Sequence, residues 1–170
     1  MANPRRPLRL NVGFLIYQSI GVSRDFGFDF PELILEGDTH LKEFLGTVRI
    51  SRTPQGLLVQ ADFQGRLELE CARCLEPYEQ DLQWSFTELY AFDRRSVTDS
   101  GLILPEDGHI DLEPLMRDYA LIEVPINPLC KPDCRGLCPE CGENLNQIDC
   151  GHRPLDSVSP FSALKSFLDR

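Results

Sequence analysis

The stretch LLVQADFQGRLELECARC, residues 57–74, decides how this chain is read. Leu57, Val59, Ala61 and Phe63 alternate with Gln60, Asp62 and Gln64, and after Gly65 the alternation resumes with Leu67, Leu69 and Cys71 against Arg66, Glu68 and Glu70. Period two puts apolar side chains on one face and polar ones on the other, the pattern of a half-buried strand. A glycine inside such a run suggests a bulge or a sharp bend. The strand delivers Cys71-Ala-Arg-Cys74 to its end, and Leu82, Trp84 and Phe86 return at the same period. A CxxC between two strands is the setting of a zinc knuckle, with a pair of packed thiols as the plainer alternative.

Upstream, Leu8, Leu10, Val12, Phe14 and Ile16 predict a strand over Leu8 to Gln18, broken at Gly21. Phe26, Phe28 and Phe30 alternate in the next strand, which Pro31 is expected to end. Three phenylalanines at period two could stack bases, but a sheet's core face explains them better. Val48 and Ile50 lead to a turn at Thr53-Pro54-Gln55-Gly56, whose proline and glycine suit type I geometry. Downstream, Asp93 to His109 reads as a polar loop, its carboxylates solvated and His109 a surface or structural residue. Asp111 is expected to cap a helix with Pro114 in its first turn, and Leu112, Leu115, Met116, Tyr119 and Ile122 form its apolar stripe. Ser159 and Pro160 open a short C-terminal helix with Phe161, Leu164 and Leu168 on one face.

The fold class is therefore α+β: mainly antiparallel β, as a meander or partly open barrel, with one amphipathic helix, a Cys-rich zinc-binding segment and a short C-terminal helix. The expected division is a β-rich domain over residues 1–128 with its helix near 111–123, a Cys-rich segment over 129–153 packed on it, and the terminal helix over 159–169.

The second decisive stretch is Cys130 to His152, CKPDCRGLCPECGENLNQIDCGH. With Cys71 and Cys74 it gives eight soft ligands in four pairs: Cys71/Cys74, Cys130/Cys134, Cys138/Cys141 and Cys150/His152. Four Cys or His ligands close a tetrahedral zinc site, so eight suffice for two zinc ions per chain. Cys138-Pro-Glu-Cys141-Gly is a rubredoxin-type knuckle, and only eight residues separate Cys141 from Cys150. The preferred pairing puts Cys138, Cys141, Cys150 and His152 on one metal and Cys71, Cys74, Cys130 and Cys134 on the other. A rival pairing places Cys130, Cys134, Cys138 and Cys141 together. Four thiolates could also hold iron. Asn144 and Asn146 are turn formers within the ligand loop.

Composition narrows the function classes. Seven cysteines are an odd number for a disulfide framework, the opening MANPRRPLRL lacks a signal peptide's apolar stretch, and no apolar run reaches membrane-spanning length. A cytoplasmic location without membrane association is the expectation. A net charge of −10 opposes phosphate, so any RNA contact must be local, with Arg73, Lys131 and Arg135 the candidates beside the cysteines. Arg5, Arg6, Arg9 and Arg153 are further cations, the first three read as a solvated tail. An acidic surface suits a basic protein partner instead, ribosomal proteins being one such class. Catalytic zinc keeps an open position, whereas these ligands close both sites, and HExxH, GxSxG, P-loop and GxGxxG motifs are absent. No enzyme activity, small-molecule substrate or catalytic residue is expected. A zinc hydrolase, a Cys71/Cys74 redox dithiol and a generic interaction scaffold are the alternatives.

Cys71-Ala-Arg-Cys74-Leu75-Glu76-Pro77, Ile110-Asp111-Leu112, and the run from Cys134 through Leu137-Cys138-Pro139-Glu140-Cys141-Gly142 to Asn144-Leu145-Asn146 resemble the YceD family of bacterial and plastid large-ribosomal-RNA accumulation proteins. The likeness runs from about Leu8 to the C-terminus. It implies a non-enzymatic ribosome-biogenesis factor needed for large-subunit (23S) ribosomal RNA to accumulate, with that RNA, a pre-ribosomal particle or a basic ribosomal protein as partner. The family's last ligand pair is often Cys-x-Cys, so His152 departs from the pattern while keeping a metal-binding donor.

Overall fold

A computed structural model of the chain describes residues 7–35 and 39–152. Its elements are β1 (Arg9–Asn11), α1 (Gly13–Ile16), β2 (Ser23–Leu35), β3 (Thr39–Arg52), β4 (Gly56–Glu70), β5 (Pro77–Ala91), β6 (His109–Asp111) and α2 (Glu113–Glu123). The four long strands form one sheet in the order β2-β3-β4-β5, and β1 pairs with β6. β2–β3 and β3–β4 are antiparallel, and the short link from Glu70 to Pro77 lets β5 only turn back beside β4. The fold is thus α+β with an open antiparallel meander. Two compact units emerge: residues 1–69 with 78–128, and residues 70–77 with 129–170. The C-terminal helix expected over 159–169 lies outside the described residues, as do Arg5, Arg6 and Arg153. No helix among the described residues is long and apolar enough to cross a membrane.

The first unit carries the hydrocarbon core. Leu57, Val59, Ala61, Phe63 and Leu67 are buried along β4, as the alternation predicts, and Leu82, Trp84 and Phe86 along β5. An aromatic seam crosses the sheet: the Phe63 centroid lies 6.2 Å from Phe28, 5.3 Å from Phe44, 5.8 Å from Trp84 and 6.0 Å from Phe86. Phe86 continues it to Tyr119 of α2 at 4.9 Å. The three early phenylalanines are thus core-facing in part: Phe28 is buried, and Phe26 and Phe30 pack against the core.

Five local expectations need correction. The alternation that starts at Leu8 stops at Val12, where the Asn11 side chain accepts the Gly13 N–H at 3.2 Å and the chain enters α1. The buried spacing changes from two to three, burying Leu15 and leaving Phe14 half exposed. Pro31 does not end β2, because β2 is an edge strand and can lack one ladder donor. The bulge expected at Gly65 sits on the partner strand, between Lys42 and Leu45, where Glu43 has φ 49°. It rephases β3, so Leu41 and Phe44, three apart, are both buried. In α2 the buried residues are Met116 and Ala120, after Leu112, while Ile122 faces solvent. Asp111 is the last residue of β6 rather than the cap, although its carboxylate accepts the Glu113 N–H at 3.1 Å. Leu112 holds the cap position, and the helix ends at Glu123 with Val124 extended before Pro125.

Gly46 stands between Phe28 and Phe63 in register. A Cβ there would lie 2.1 Å from Cδ1 of Phe63, so the seam closes only over a residue without a side chain. Gly46→Ala should cost about 1–3 kcal/mol by overpacking. The measurement is a urea midpoint that falls at unchanged slope. An unchanged midpoint would mean that the ring does not need this space.

Candidate metal centre

The second unit holds all eight candidate ligands, and local backbone chemistry presents them. After β4, the chain folds back on itself: Leu75 N–H donates to Cys71 O at 2.9 Å and Cys71 N–H to Glu76 O at 3.0 Å. The residue after each of three ligand cysteines, Cys74, Cys141 and Cys150, has a left-handed backbone: Leu75 at φ 58°, Gly142 at 76° and Gly151 at 73°. After Leu75 and Gly151 this conformation turns the following N–H groups, of Glu76 and His152, towards the sulfurs of Cys74 and Cys150. It is natural for glycine and strained for Leu75.

Cys71, Cys74, Cys130 and Cys134 form one group, and Cys138, Cys141, Cys150 and His152 the other, with all ligand atoms of each within 4.8 Å of one another. This is the preferred pairing of the sequence reading; the rival set does not gather. Cys71 and Cys134 sulfurs lie 3.7 Å apart, and Cys74 and Cys130 sulfurs 3.6 Å. Four sulfurs around a tetrahedral ion at ~2.3 Å stand ~3.8 Å apart. The same distances are far beyond the ~2.05 Å of a disulfide. In the second group His152 Nδ1 is 3.9 Å from the Cys138 sulfur, and its Nε2 is 3.9 Å from a Glu140 oxygen. The carboxylate thus stands on the far side of the ring from the cluster, as it does behind metal-bound histidines.

The protonation chemistry points the same way. Backbone N–H groups of Cys130, Cys74 and Arg73 aimed at Cys71 lower its thiol to about 6, and those of Cys141 and Glu140 do the same for Cys138. Burial pushes Cys130 up to about 12. Cys134 is lowered in spite of burial, by the Asn146 amide and the Gly136 N–H. Cys150 is raised although the His152 N–H favours its thiolate, because Cys138 and burial oppose it. Each group thus favours some of its thiolates at its neighbours' expense, which is the behaviour of a donor set that needs a cation to ionise fully. The donors fit a borderline-soft divalent ion.

The surrounding hydrogen bonds were not foreseen from sequence. Asn146 Nδ2 donates to the Cys134 sulfur at 3.3 Å, and Asn146 Oδ1 accepts the Arg135 N–H at 2.9 Å. Arg73, a candidate RNA contact, donates to Cys134 O at 2.9 Å and so braces the ligand backbone. Lys131 and Arg135 are exposed beside the same group. Arg9, read as part of a tail, pairs with Asp107 at 2.6 Å in the first unit. Gly136, at φ 75°, lies under Arg73, where a Cβ would stand 3.1 Å from Arg73 O.

The family described as large ribosomal RNA subunit accumulation protein YceD matches residues 59–168, a span that contains every candidate ligand. The chain belongs to the YceD family. An uncharacterised protein of Mycobacterium tuberculosis is 39% identical over 111 residues, covering 62% of this chain and 53% of the relative. A Zea mays protein is 28% identical over 160 residues, covering 66% and 54%, and is named large ribosomal RNA subunit accumulation protein YCED homolog 1, chloroplastic. An uncharacterised Bacillus subtilis protein is 28% identical over 94 residues, covering 53% and 55%. The chain spans about half the length of the relatives it matches. No solved structure matches it.

With Cys71 and Cys138 near 6, and Cys130, Cys74 and Cys150 raised, the metal-free YceD chain at pH 7 keeps protons that a metal must displace. Zinc affinity should therefore rise with pH through neutrality, and the heat of zinc binding at pH 7 should depend on the buffer's ionisation enthalpy. Identical heats in phosphate and Tris would contradict this protonation pattern. Gly136→Ala should speed zinc loss to a chelator; loss at the wild-type rate would mean that the Arg73 contact gives way freely.

Proposed function

We propose that this protein is a non-enzymatic ribosome-biogenesis factor needed for large-subunit ribosomal RNA to accumulate, in which two zinc ions staple a binding module. The observation that carries the reading is that each ligand group is complete from protein side chains alone, four donors to a group, with none left for a water to fill. A closed set of this kind is structural rather than catalytic. Membership of the family supplies the biological direction, and the Zea mays relative's name supports it. The reading places the protein in the cytoplasm, with no membrane and no small-molecule substrate.

The partner is a basic ribosomal protein or a pre-ribosomal particle that displays one. Around the metal groups Glu70, Glu76, Asp133, Glu140, Glu143 and Asp149 outnumber Arg73, Lys131 and Arg135. Seven thiolates against two divalent ions add a formal charge of about −3. Such a surface repels phosphate and attracts cations. RNA contact is then limited to the three cations beside Cys71 to Cys74 and Cys130 to Cys134. A redox-dithiol reading of Cys71 and Cys74 is disfavoured because both are buried inside a four-thiol set, out of reach of a disulfide substrate.

Depletion of the protein should lower the ratio of large- to small-subunit ribosomal RNA, and a Cys74→Ser, Cys138→Ser double variant should fail to restore it. The tagged protein, captured at moderate salt, should bring down large-subunit ribosomal proteins in preference to protein-free RNA. An unchanged RNA ratio would sink the biogenesis role. Tight binding to naked 23S RNA that weakens steeply with salt would replace the protein partner with RNA.

A further inference from the structure

The loop between Cys141 and Cys150 belongs by its ends to one ligand group, yet its polar side chains are bonded to the other. Besides its contacts to the Cys134 sulfur and the Arg135 N–H, Asn146 Nδ2 donates to Asn144 Oδ1 at 2.9 Å. These three bonds fix the orientation of the amide, since the flipped form would set oxygen against sulfur and NH2 against N–H. Asn144 Nδ2 and Gln147 Nε2 both donate to Glu76 Oε1, at 3.3 and 3.1 Å, two residues beyond Cys74. The backbone runs the same way. Leu137 N–H donates to Arg73 O at 3.1 Å, Leu145 N–H to Gly136 O at 2.9 Å and Cys138 N–H to Glu143 O at 2.8 Å.

A turn alone does not explain Asn146. The turn is made by Asn144, whose Oδ1 accepts the Asn146 N–H at 3.0 Å. The Asn146 side chain instead reaches back to residues 11 and 12 positions earlier. An amide donating to a metal-bound thiolate is a charge-assisted hydrogen bond that favours the ionised sulfur. It can do so only while the loop that carries it is held in place.

We propose that the two ligand groups load metal as one coupled unit, with Asn146 the positioning residue that couples them. This rests on the metal-binding reading above. Metal at Cys138, Cys141, Cys150 and His152 pins both ends of the loop and so seats Asn146 on Cys134. The four-thiolate group then binds its own metal more tightly, and by linkage it returns the same factor to the first.

The test is cobalt titration of the metal-free full chain, because four-thiolate and three-thiolate, one-imidazole sites have distinguishable absorption. Wild type should take two equivalents with both spectra rising together. Asn146→Ala should still take two, but in separated steps, with the four-thiolate spectrum trailing by about 10–100-fold in affinity. Cys141→Ser leaves all four thiolates of the other group intact, yet it should weaken that group comparably. If Asn146→Ala and Cys141→Ser both leave the four-thiolate affinity at the wild-type value, the coupling is overturned while the metal reading stands. Wild type that takes up no cobalt would overturn the metal reading itself.

Discussion

Four sulfurs held within 4.8 Å of one another cannot all carry charge without a cation among them, and the second unit of this protein is arranged around that constraint. Sulfur separations of 3.6 and 3.7 Å are close enough for neighbouring thiolates to repel strongly. The metal-free chain meets the conflict by uneven protonation: N–H groups stabilise the thiolates of Cys71 and Cys138, and burial keeps the Cys130 thiol neutral. A divalent ion removes the conflict at once. The left-handed residues, the folded-back turns and the amide on Cys134 then act as parts of one electrostatic device. Even the strain at Leu75 has a place, because it lies where the chain must turn over its own ligands.

The two units meet the entropy of folding by different means. The first collects its buried aliphatic and aromatic side chains into one cluster, and no described residue of the second belongs to that cluster. In the second unit the most deeply buried side chains include Cys71, Cys74, Cys134 and Cys138. A segment this short cannot bury enough hydrocarbon to order itself, which is the situation in which small domains depend on metals. Metal loss should therefore be a local event in the chain's chemistry, felt by the ligand loops before the sheet.

What could be read from the sequence follows from which signals are local. The β4 alternation, its return in β5 and the knuckle at Cys71 to Cys74 each repeat one physical rule over many residues, and all are present. The grouping of the candidate ligands was legible because an eight-residue loop can close back on Cys138 and Cys141, leaving the other four to meet. Where the reading missed, the deciding contact was with a residue far away in the chain or with a single side chain. Asn11 ends β1 with one hydrogen bond that no periodicity announces. Pro31 is tolerated only because β2 has an open edge, which depends on the order of strands. The roles of Asn146 and Glu76 are invisible in the same way, since Asn146 reads as a turn former, Glu76 as a surface carboxylate, and their partners lie 12 and about 70 positions away.

The charge of the metal-binding unit ties the architecture to its biology. An acidic segment that gains further negative charge when its thiols ionise onto metal is poorly suited to track a phosphate backbone. Of the three Lys and Arg side chains among its described residues, Arg73 already donates to the backbone of Cys134, which leaves Lys131 and Arg135 as the freer pair on the described surface. That described surface offers few cations to displace counterions from phosphate, while the surrounding carboxylates attract cations. The proposed function therefore needs no grip on the RNA: an acidic surface around closed thiolate groups is electrostatically set to meet a cationic chain rather than a phosphate backbone.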